Sequence, residues 1–386
     1  MATNTLGYYN PEFYANEALL LLQNSLGMAS RVHLGYDAER RTFNKGQYIN
    51  IKRPSTFAAQ SAPQAASNIT TESVQINLNS WQEVRFEATD QELAYSGEEM
   101  LRDHIAPAVY ALSNKIDQDL NALYTYIPWH VAGATAMDIA DISAAKKQLF
   151  TNGVNIEDAS SMHFEVGAIN QSSLEQIPAF AQYTGAGAVG VDTQKTGNLG
   201  YRYGFNFFAN QNTSAHTSGA CDDAAGTVTG NTAVGATSIT IGALTDTQTV
   251  KAGDTFSIAG DTQQYAFTED GTVASNSLTA IGISPPLKTA ATNGAVVTIA
   301  LTGTTTETCL AFHKNFAALA FAKLPDEMPR RLGAECVSVQ DPKTGISVRY
   351  RMYYDGTNSK CAVVLDVLYG VKVLDPNMAC RVAVTS

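Results

Sequence analysis

The sequence predicts a mixed α+β protein whose chain carries an inserted all-β module. Three observations lead to this prediction. The segment after residue 96 repeats apolar residues with the period of a helix, and the segments on either side of it alternate apolar and polar residues as strands do. Residues 224–303 are rich in threonine and contain short strand-like runs without a helical period. The chain of 386 residues is long enough for two or three structural units.

Residues 1–30 are predicted to be an N-terminal arm that contains one helix. Asn10 can cap this helix and Pro11 can occupy its first position, so we expect it to run through Leu22 and to stop near Gly27. The helix ends in a run of four leucines. This run does not predict a signal peptide, because two acidic residues and no basic residue precede it.

Residues 31–95 are predicted to form a long β-hairpin and its flanks. The strand-like runs QYINIK and SVQINLNSWQEVRFEA enclose a polar arm, and 17 of the 20 residues from Pro54 to Ser73 are Pro, Ser, Thr, Ala, Gln or Asn. A structureless loop of about 20 residues is uncommon in a lone compact domain. We therefore expect a neighbouring subunit to support the arm. The proposed contact residues are Arg53, Pro54, Phe57 and Ile69.

The base of this hairpin is expected to be half-buried, because each strand has one apolar face. The residues on these faces are Ile49 and Ile51 in the first strand, and Val74, Ile76 and Leu78 in the second. Residues 31–53 are also locally basic, which fits either a solvated surface or contact with an acidic neighbour.

Residues 96–135 contain the clearest helix of the sequence. Ser96 and Glu99 have the spacing of a capping box, which predicts that the helix begins there. Pro107 is expected either to kink the helix or to set its true start. Apolar residues recur every three or four positions and form one stripe, which is predicted to be core. The stripe consists of Leu101, Ile105, Val109, Leu112, Ile116, Leu120, Leu123 and Ile127.

Residues 136–223 are predicted to begin an α/β domain. We expect a helix from Asp138 to Phe150, then the strand MHFEVG, then a short helix that starts at a second capping box, SSLE at Ser172. The segment GAGAVG, residues 185–190, matches the glycine pattern of a dinucleotide-binding loop. No helical period follows it, so a flexible loop is the preferred interpretation.

Residues 224–303 are predicted to form an all-β module of barrel or sandwich type, inserted into a host domain. This segment contains 17 threonines, and the short strands SITIGAL, DTFSIAG, QQYAFTE and VVTIAL are separated by Gly, Asp and Asn turns. Residues 304–386 again show the mixed α/β pattern of the segment before the module, and they include a long hairpin that turns at DGTN. Five residues of its first strand share one face: Ile346, Val348, Tyr350, Met352 and Tyr354.

The motifs of the sequence predict neither an enzyme nor a cofactor or metal site. The six histidines lack the spacing of metal ligands, and no G-x-S-x-G nucleophile motif occurs. The net charge of -11 repels phosphate backbones and argues against specific binding of nucleic acid. Five cysteines without a C-x-x-C pair indicate free thiols in a reducing compartment. No stretch approaches the ~20 apolar residues of a membrane span.

The order of these parts resembles that of the major capsid (coat) proteins of tailed bacteriophages, which have the HK97-like fold. Besides the layout, the resemblance rests on the stretches YYNPEFYANEALLLLQNSLGMASRVH, VKAGDTFSIAG and LAFHKNFAALAFAKLP. More narrowly, the chain looks like the coat proteins of the Salmonella short-tailed phages, whose axial domain carries an inserted β-barrel. The resemblance implies an N-arm at 1–30, an extended loop at 31–95, the spine helix of a peripheral domain at 96–135, an axial domain from 136–223, the inserted domain at 224–303 and a return through axial and peripheral domains at 304–386.

The resemblance implies a structural protein that assembles into an icosahedral head around packaged double-stranded DNA. Its implied partners are other copies of itself in pentamers and hexamers, a scaffolding protein, a portal protein and a decoration protein, with the DNA enclosed but not specifically bound. The implied location is the virion, after assembly in the cytoplasm of the bacterial host. Two alternatives stay open from the sequence: an encapsulin-like cellular compartment shell, and a secreted or surface β-rich adhesin or carbohydrate-binding protein.

Overall fold

The computed structural model describes residues 11–34, 47–53, 72–132, 136–181, 193–221, 226–300, 305–341 and 344–385. The chain divides into two compact units, and each is built from two separate stretches of chain. The first unit comprises Met1–Asp117 and Ala317–Leu374, and the second comprises Gln118–Phe316 and Asp375–Ser386. The first boundary between the units, after Asp117, therefore falls inside the helix Asp90–Asn121.

The helices, in chain order, are α1 Pro11–Ser25, α2 Asp90–Asn121, α3 Ile139–Thr151, α4 Ala168–Glu175, α5 Pro178–Ala181 and α6 Glu327–Arg331. The first strands are β1 Tyr48–Arg53, β2 Glu72–Asn77, β3 Ser80–Thr89, β4 His130–Ala132, β5 Met162–Val166, β6 Tyr201–Arg202, β7 Phe205–Ala209 and β8 Ala215–Thr217. They are followed by β9 Gly226–Val228, β10 Ser238–Gly242, β11 Thr249–Val250, β12 Thr255–Ile258, β13 Gln264–Phe267, β14 Gly271–Thr272, β15 Ser277–Ser284 and β16 Val296–Ala300. The last are β17 Thr305–His313, β18 Ala317–Ala322, β19 Glu335–Gln340, β20 Ser347–Asp355, β21 Lys360–Val373 and β22 Ala379–Thr385.

The first unit is organised around a five-stranded antiparallel sheet. Its strands run in the order β18-β21-β20-β19, and β3 also pairs with β21. Strand β21 is the longest, and over Lys360–Tyr369 it pairs with the whole of β3. The long hairpin predicted near the end of the chain is present as β20 and β21. On the face named in the sequence, Ile346, Val348 and Tyr350 are buried.

Helix α2 begins at Asp90, six residues before Ser96, so the predicted capping box at Ser96 is wrong. Strand β3 ends at Thr89 and the helix starts directly after it. The Thr89 hydroxyl accepts a hydrogen bond from the Glu92 amide at 3.3 Å, and the Glu92 carboxylate accepts one from the Thr89 amide at 2.8 Å. These bonds satisfy two amides at the helix start, which is what a capping box does. Pro107 lies inside the helix and does not set its start.

The second predicted capping box, at Ser172, is also wrong. Helix α4 begins at Ala168, immediately after Gly167, and Ser172 lies inside it. The neighbouring Ser173 hydroxyl donates a hydrogen bond to the Ile169 carbonyl at 3.2 Å, as serines inside helices do. The helix predicted from Asp138 is present as α3, and Asp138 and Asp141 form its capping box.

The second unit combines a mixed sheet with a closed barrel. The sheet has seven strands in the order β4-β22-β17-β5-β7-β6, with β8 paired to β17. The barrel consists of six strands in the order β10-β15-β13-β12-β16-β9, and β9 closes it by pairing with both β10 and β16. Phe256, Tyr265 and Phe267 stack at the centre of the barrel core. The Thr-rich segment therefore forms a barrel and not a sandwich. The glycine segment 185–190 lies outside the described residues.

Candidate functional site

The base of the long hairpin is a two-stranded antiparallel sheet of β1 and β2 in the first unit. Its register pairs Ile49 with Ile76. The apolar residues of both strands therefore share one face, and that face packs on β18. The resulting buried cluster contains Ile49, Ile51, Ile76, Leu78, Ala318, Ala320 and Ala322. The small alanine side chains of β18 leave room for the larger residues of the hairpin, so the base is half-buried.

Gly370 of β21 lets the hairpin approach the sheet closely. A Cβ atom at this position would lie 2.2 Å from the carbonyl oxygen of Asn77, at the end of β2, and 3.1 Å from the Ile76 side chain. A contact of 2.2 Å with a backbone atom is a steric clash, so only glycine fits here without a shift of the hairpin. Glycine in the interior of a strand often marks such a close approach of a second backbone.

The four residues proposed to contact a neighbouring subunit fall at the limit of the described chain. Arg53 is the last residue of β1, where its backbone pairs with Glu72. Pro54, Phe57 and Ile69 lie outside the described residues. Their contact role therefore remains a prediction.

The apolar stripe predicted for one long helix is buried, but the prediction that a single helix carries it to Ile127 is wrong. Helix α2 ends at Asn121, Leu123 lies in the 3-10 helix Ala122–Tyr126 and Ile127 has extended backbone, so the stripe continues past the end of the helix. Its described members are each at most 7% exposed: Ile105, Val109, Leu112, Ile116, Leu120, Leu123 and Ile127. The side chain of Leu101 lies outside the described part. Asp117 is buried beside this stripe, and its Oδ1 accepts a hydrogen bond from the Met28 amide at 2.7 Å. Asp117 thus caps the 3-10 turn that follows α1 and joins this turn to the helix within the first unit.

A buried ionic cluster lies on the sheet of the first unit. Asp366 of β21 is fully buried, and its Oδ1 accepts a hydrogen bond from Arg349 Nε at 2.9 Å. Arg351 approaches the same carboxylate at 3.1 Å, and Trp81 Nε1 donates to it at 3.2 Å. The Asp366 hydrogen bond and charge help to raise the pKa of Arg349 against the effect of its burial. A fully buried carboxylate of this kind is retained only where cations and donors surround it.

A polar chain connects the barrel of the second unit to its sheet. The Tyr124 hydroxyl lies 3.1 Å from Nδ1 of His216, and Nε2 of His216 lies 2.9 Å from Oδ1 of Asp254. His216 belongs to β8 of the sheet, whereas Asp254 precedes strand β12 of the barrel. The second carboxylate oxygen of Asp254 accepts hydrogen bonds from the amides of Gly219 and Lys251, at 3.0 and 2.7 Å.

Further hydrogen bonds fix the barrel at other points of the second unit. Asn377 Oδ1 accepts from Trp129 Nε1 at 2.9 Å and from Gln263 Nε2, on the barrel, at 3.1 Å. The Ser284 hydroxyl of the barrel donates to the Tyr126 carbonyl at 2.9 Å. Part-buried hydrogen bonds at separate positions restrict rotation of the barrel against the sheet.

The described histidines participate in packing and hydrogen bonding. His104 packs edge-on against Phe86 and His163 lies beside Phe312, with ring centroids 5.8 and 5.7 Å apart. Among the described residues, no group of three or more His, Cys, Asp or Glu is placed to hold a metal ion. None of the described helices is long and apolar enough to cross a membrane.

Comparison with solved structures identifies the fold. A structure from Mycobacterium phage Che8 is 12% identical to this chain, with a TM-score of 0.50, and the match covers 92% of this chain and 90% of that chain. The chain has the HK97-like fold. The α+β class predicted from the sequence is thereby confirmed, whereas the narrower resemblance to the Salmonella short-tailed phage group remains a prediction.

Two further solved structures show weaker similarity. The asymmetric unit of the bacteriophage PhiM1 mature capsid is 10% identical, with a TM-score of 0.47 and coverage of 88% of this chain and 83% of that chain. The capsid of cyanophage P-SCSP1u is also 10% identical, with a TM-score of 0.45 and coverage of 89% and 84%. No protein-family model and no curated protein sequence matches the chain.

Two residues of the first unit could have been singled out from the sequence but were not. Asp366 and Gly370 interrupt the apolar run CAVVLDVLYGVKVL of β21. A lone carboxylate in such a run indicates a buried ionic partner, and a lone glycine indicates a close backbone approach. The contact between His216 and Asp254 has no comparable sequence pattern, because the two positions are 38 residues apart along the chain.

Proposed function

We propose that this chain is a major capsid protein, a structural subunit that assembles into an icosahedral phage head. The observation that carries the proposal is the HK97-like fold, which extends over nearly the whole chain and nearly the whole of the phage Che8 chain. According to the resemblance described for the sequence, this is the fold of the shell proteins of tailed bacteriophages. The role is structural and not catalytic.

The long hairpin supports this proposal. Its base is packed on the sheet of the first unit, whereas the sequence from Pro54 to Ser73 contains only two large apolar residues, Phe57 and Ile69. A two-stranded hairpin without a covered face is only marginally stable in water. A neighbouring subunit in a shell would supply the missing surface, with Phe57 as the main anchor, because aromatic residues often dominate small interfaces.

The proposed partners follow from this role. The chain would contact copies of itself in pentamers and hexamers, a scaffolding protein during assembly, a portal protein at one vertex and, in the finished particle, a decoration protein. Packaged DNA would be enclosed without specific binding, in keeping with the net charge of -11. The proposed location is the virion, after assembly in the cytoplasm of the bacterial host.

Electron microscopy of the purified protein tests the proposal. Co-expression with its cognate scaffolding protein should give closed particles, and expression of the chain alone should give partial or aberrant assemblies. A clean monomer under every condition would contradict the proposal. Closed particles that form without any scaffold and enclose a cellular cargo would instead favour an encapsulin-like compartment.

A shortened hairpin tests the contact role of the tip. Replacing residues Pro54 to Ser73 by an Asn-Gly turn should leave a folded, soluble subunit that does not close shells, and Phe57→Ala should reduce the yield of closed particles. Val234→Ala is the matched control, because Val234 is an apolar residue of the barrel with 63% of its surface exposed. Circular dichroism and electron microscopy of the same samples decide the outcome. Normal particles from the shortened chain would show that the tip is dispensable for assembly.

A further inference from the structure

A small cavity lies between the barrel and the sheet of the second unit. On the sheet side it is lined by His130 of β4, Arg381 of β22, and Thr306 and Thr308 of β17. On the barrel side it is lined by the backbone and side chains around Asp254 and Thr255. The free space within it is about that of one water molecule, so it can hold one small ligand.

Arg381 is a charged residue of this cavity that forms no ion pair with any of the described residues. Only 4% of its surface is exposed, and its Nε is buried without a hydrogen-bond partner. The ring of Tyr124 lies 5.8 Å from the Arg381 guanidinium, and the carboxylate of Asp254 acts on the guanidinium only through its charge, without an ion pair. Burial lowers the pKa of Arg381 to about 10, so the group is still charged at neutral pH. An isolated buried cation is strongly destabilising unless a partner compensates its charge.

The other ionisable groups of the cavity do not supply this partner. Asp254 has the correct charge, but one carboxylate oxygen is bound to His216 and the other accepts two backbone amides. His130 accepts or donates at Nδ1 toward the Thr255 hydroxyl at 3.0 Å. Burial and the charge of Arg381 lower the pKa of His130 to about 4, so it is neutral at neutral pH.

The remaining polar groups of the cavity can donate hydrogen bonds. The guanidinium of Arg381 has five N–H groups, and a threonine hydroxyl can rotate to donate to a ligand. Both Thr306 and Thr308 are buried, each with 3% of its surface exposed. The cavity also contains the Asp254 carboxylate, but both of its oxygens already accept hydrogen bonds from His216 or from backbone amides. The groups left to meet a ligand are the guanidinium and hydroxyl donors, which favour an anion over a cation or an apolar ligand.

We propose that this cavity binds one small inorganic anion of the halide class, with chloride as the expected occupant. The anion lies against the guanidinium of Arg381 and accepts hydrogen bonds from Thr306 and Thr308. Because the cavity is enclosed by the sheet on one side and the barrel on the other, the bound anion joins the two parts of the unit. Anion binding therefore stabilises the folded chain and restricts movement of the barrel.

Thermal unfolding of the full chain tests this site at fixed ionic strength. When sodium gluconate is replaced by sodium chloride or sodium bromide, the apparent Tm should rise by about 1–3 °C, because a ligand that binds only the folded state stabilises it. Arg381→Met should abolish this halide-specific shift. Arg331→Met is the matched control and should retain the shift, because the Arg331 side chain is 75% exposed and lies in the first unit.

A second measurement keeps the proposal testable if Arg381→Met does not fold. Crystals of the unaltered chain grown in sodium bromide should show an anomalous scattering peak in the cavity, next to the Arg381 guanidinium. A water molecule in that position without an anomalous peak, or equal Tm values in gluconate and halide, would overturn the proposal. An equal loss of the halide shift in Arg331→Met would also overturn it, because the effect would then be one of general surface charge.

Discussion

Gly370→Ala is the most direct test of how the long hairpin is held on the first unit. The substitution adds a single Cβ atom, 2.2 Å from the carbonyl oxygen of Asn77 and 2.9 Å from its carbonyl carbon. Close carbon–oxygen contacts in proteins are about 3.3 Å or longer. The end of β2 must therefore retreat from β21 by roughly 1 Å, and the obstacle is backbone, which cannot rotate away as the tip of a side chain can.

The structure sets two limits on the cost of this retreat. Complete detachment of the hairpin base would expose four buried side chains, Ile49, Ile51, Ile76 and Leu78. At about 1.5–3 kcal/mol for each side chain, detachment would cost roughly 6–12 kcal/mol. Overpacking that is relieved by small shifts costs about 1–3 kcal/mol. Because a small shift costs less than detachment, we expect the hairpin to shift and to stay attached. The clash is with backbone, so we expect a loss of about 3 kcal/mol in the free energy of unfolding.

Urea unfolding of the soluble subunit and hydrogen exchange measure this effect. The free energy of unfolding should fall, and amide exchange should accelerate in the peptides that contain β1 and β2. Gly356→Ala is the matched control, because Gly356 lies in the turn between β20 and β21 and a Cβ there would meet only the Tyr354 ring, at 4.0 Å. A Gly370→Ala chain with the stability and exchange rates of the control would refute the assignment of Gly370 as the contact that sets the hairpin position.

Three other changes test the core and the barrel junction. Asp366→Asn should lower the free energy of unfolding by about 3–5 kcal/mol, because it leaves the buried Arg349 without its counter-charge; Glu327→Gln, at a largely exposed carboxylate, should have no effect in the same urea titration. Ile116→Ala should cost about 2–5 kcal/mol, because Ile116 is fully buried in the helix stripe, and a loss below 1 kcal/mol would contradict its place in the core. Folding lowers the pKa of His130 from 6.5 to about 4. Between these two pH values the imidazole is therefore protonated in the unfolded chain and neutral in the folded chain. The free energy of unfolding should therefore decrease from pH 6.5 to pH 4, by on the order of 2–3 kcal/mol, and His130→Asn should flatten this decrease in urea titrations at each pH.

The sequence predicted elements well where a periodic pattern extends over many residues. The apolar stripe of helix α2 from Ile105 to Leu120 and the hairpin of β20 and β21 are both present, because a long apolar face must be buried and only one secondary structure fits each period. The last two residues of the predicted stripe, Leu123 and Ile127, are buried but lie beyond the end of the helix. The helix starts at Ser96 and Ser172 were wrong. Both lie in motifs of four residues, which occur inside helices as well as at their ends, and the preceding strand decides where the helix begins.

The sequence alone determined the order of the parts, the α+β class and the all-β character of residues 224–303, because these depend on composition and on periods of two or 3.6 residues. Only the tertiary structure decided that the Thr-rich segment closes into a barrel, that Gly370 admits the hairpin, and that Asp366 is neutralised by Arg349 and Arg351. It also decided that Arg381, His130 and Asp254 line one cavity. These contacts join residues that are far apart in the chain, and their energies depend on distance and burial in three dimensions, which a local sequence pattern does not encode.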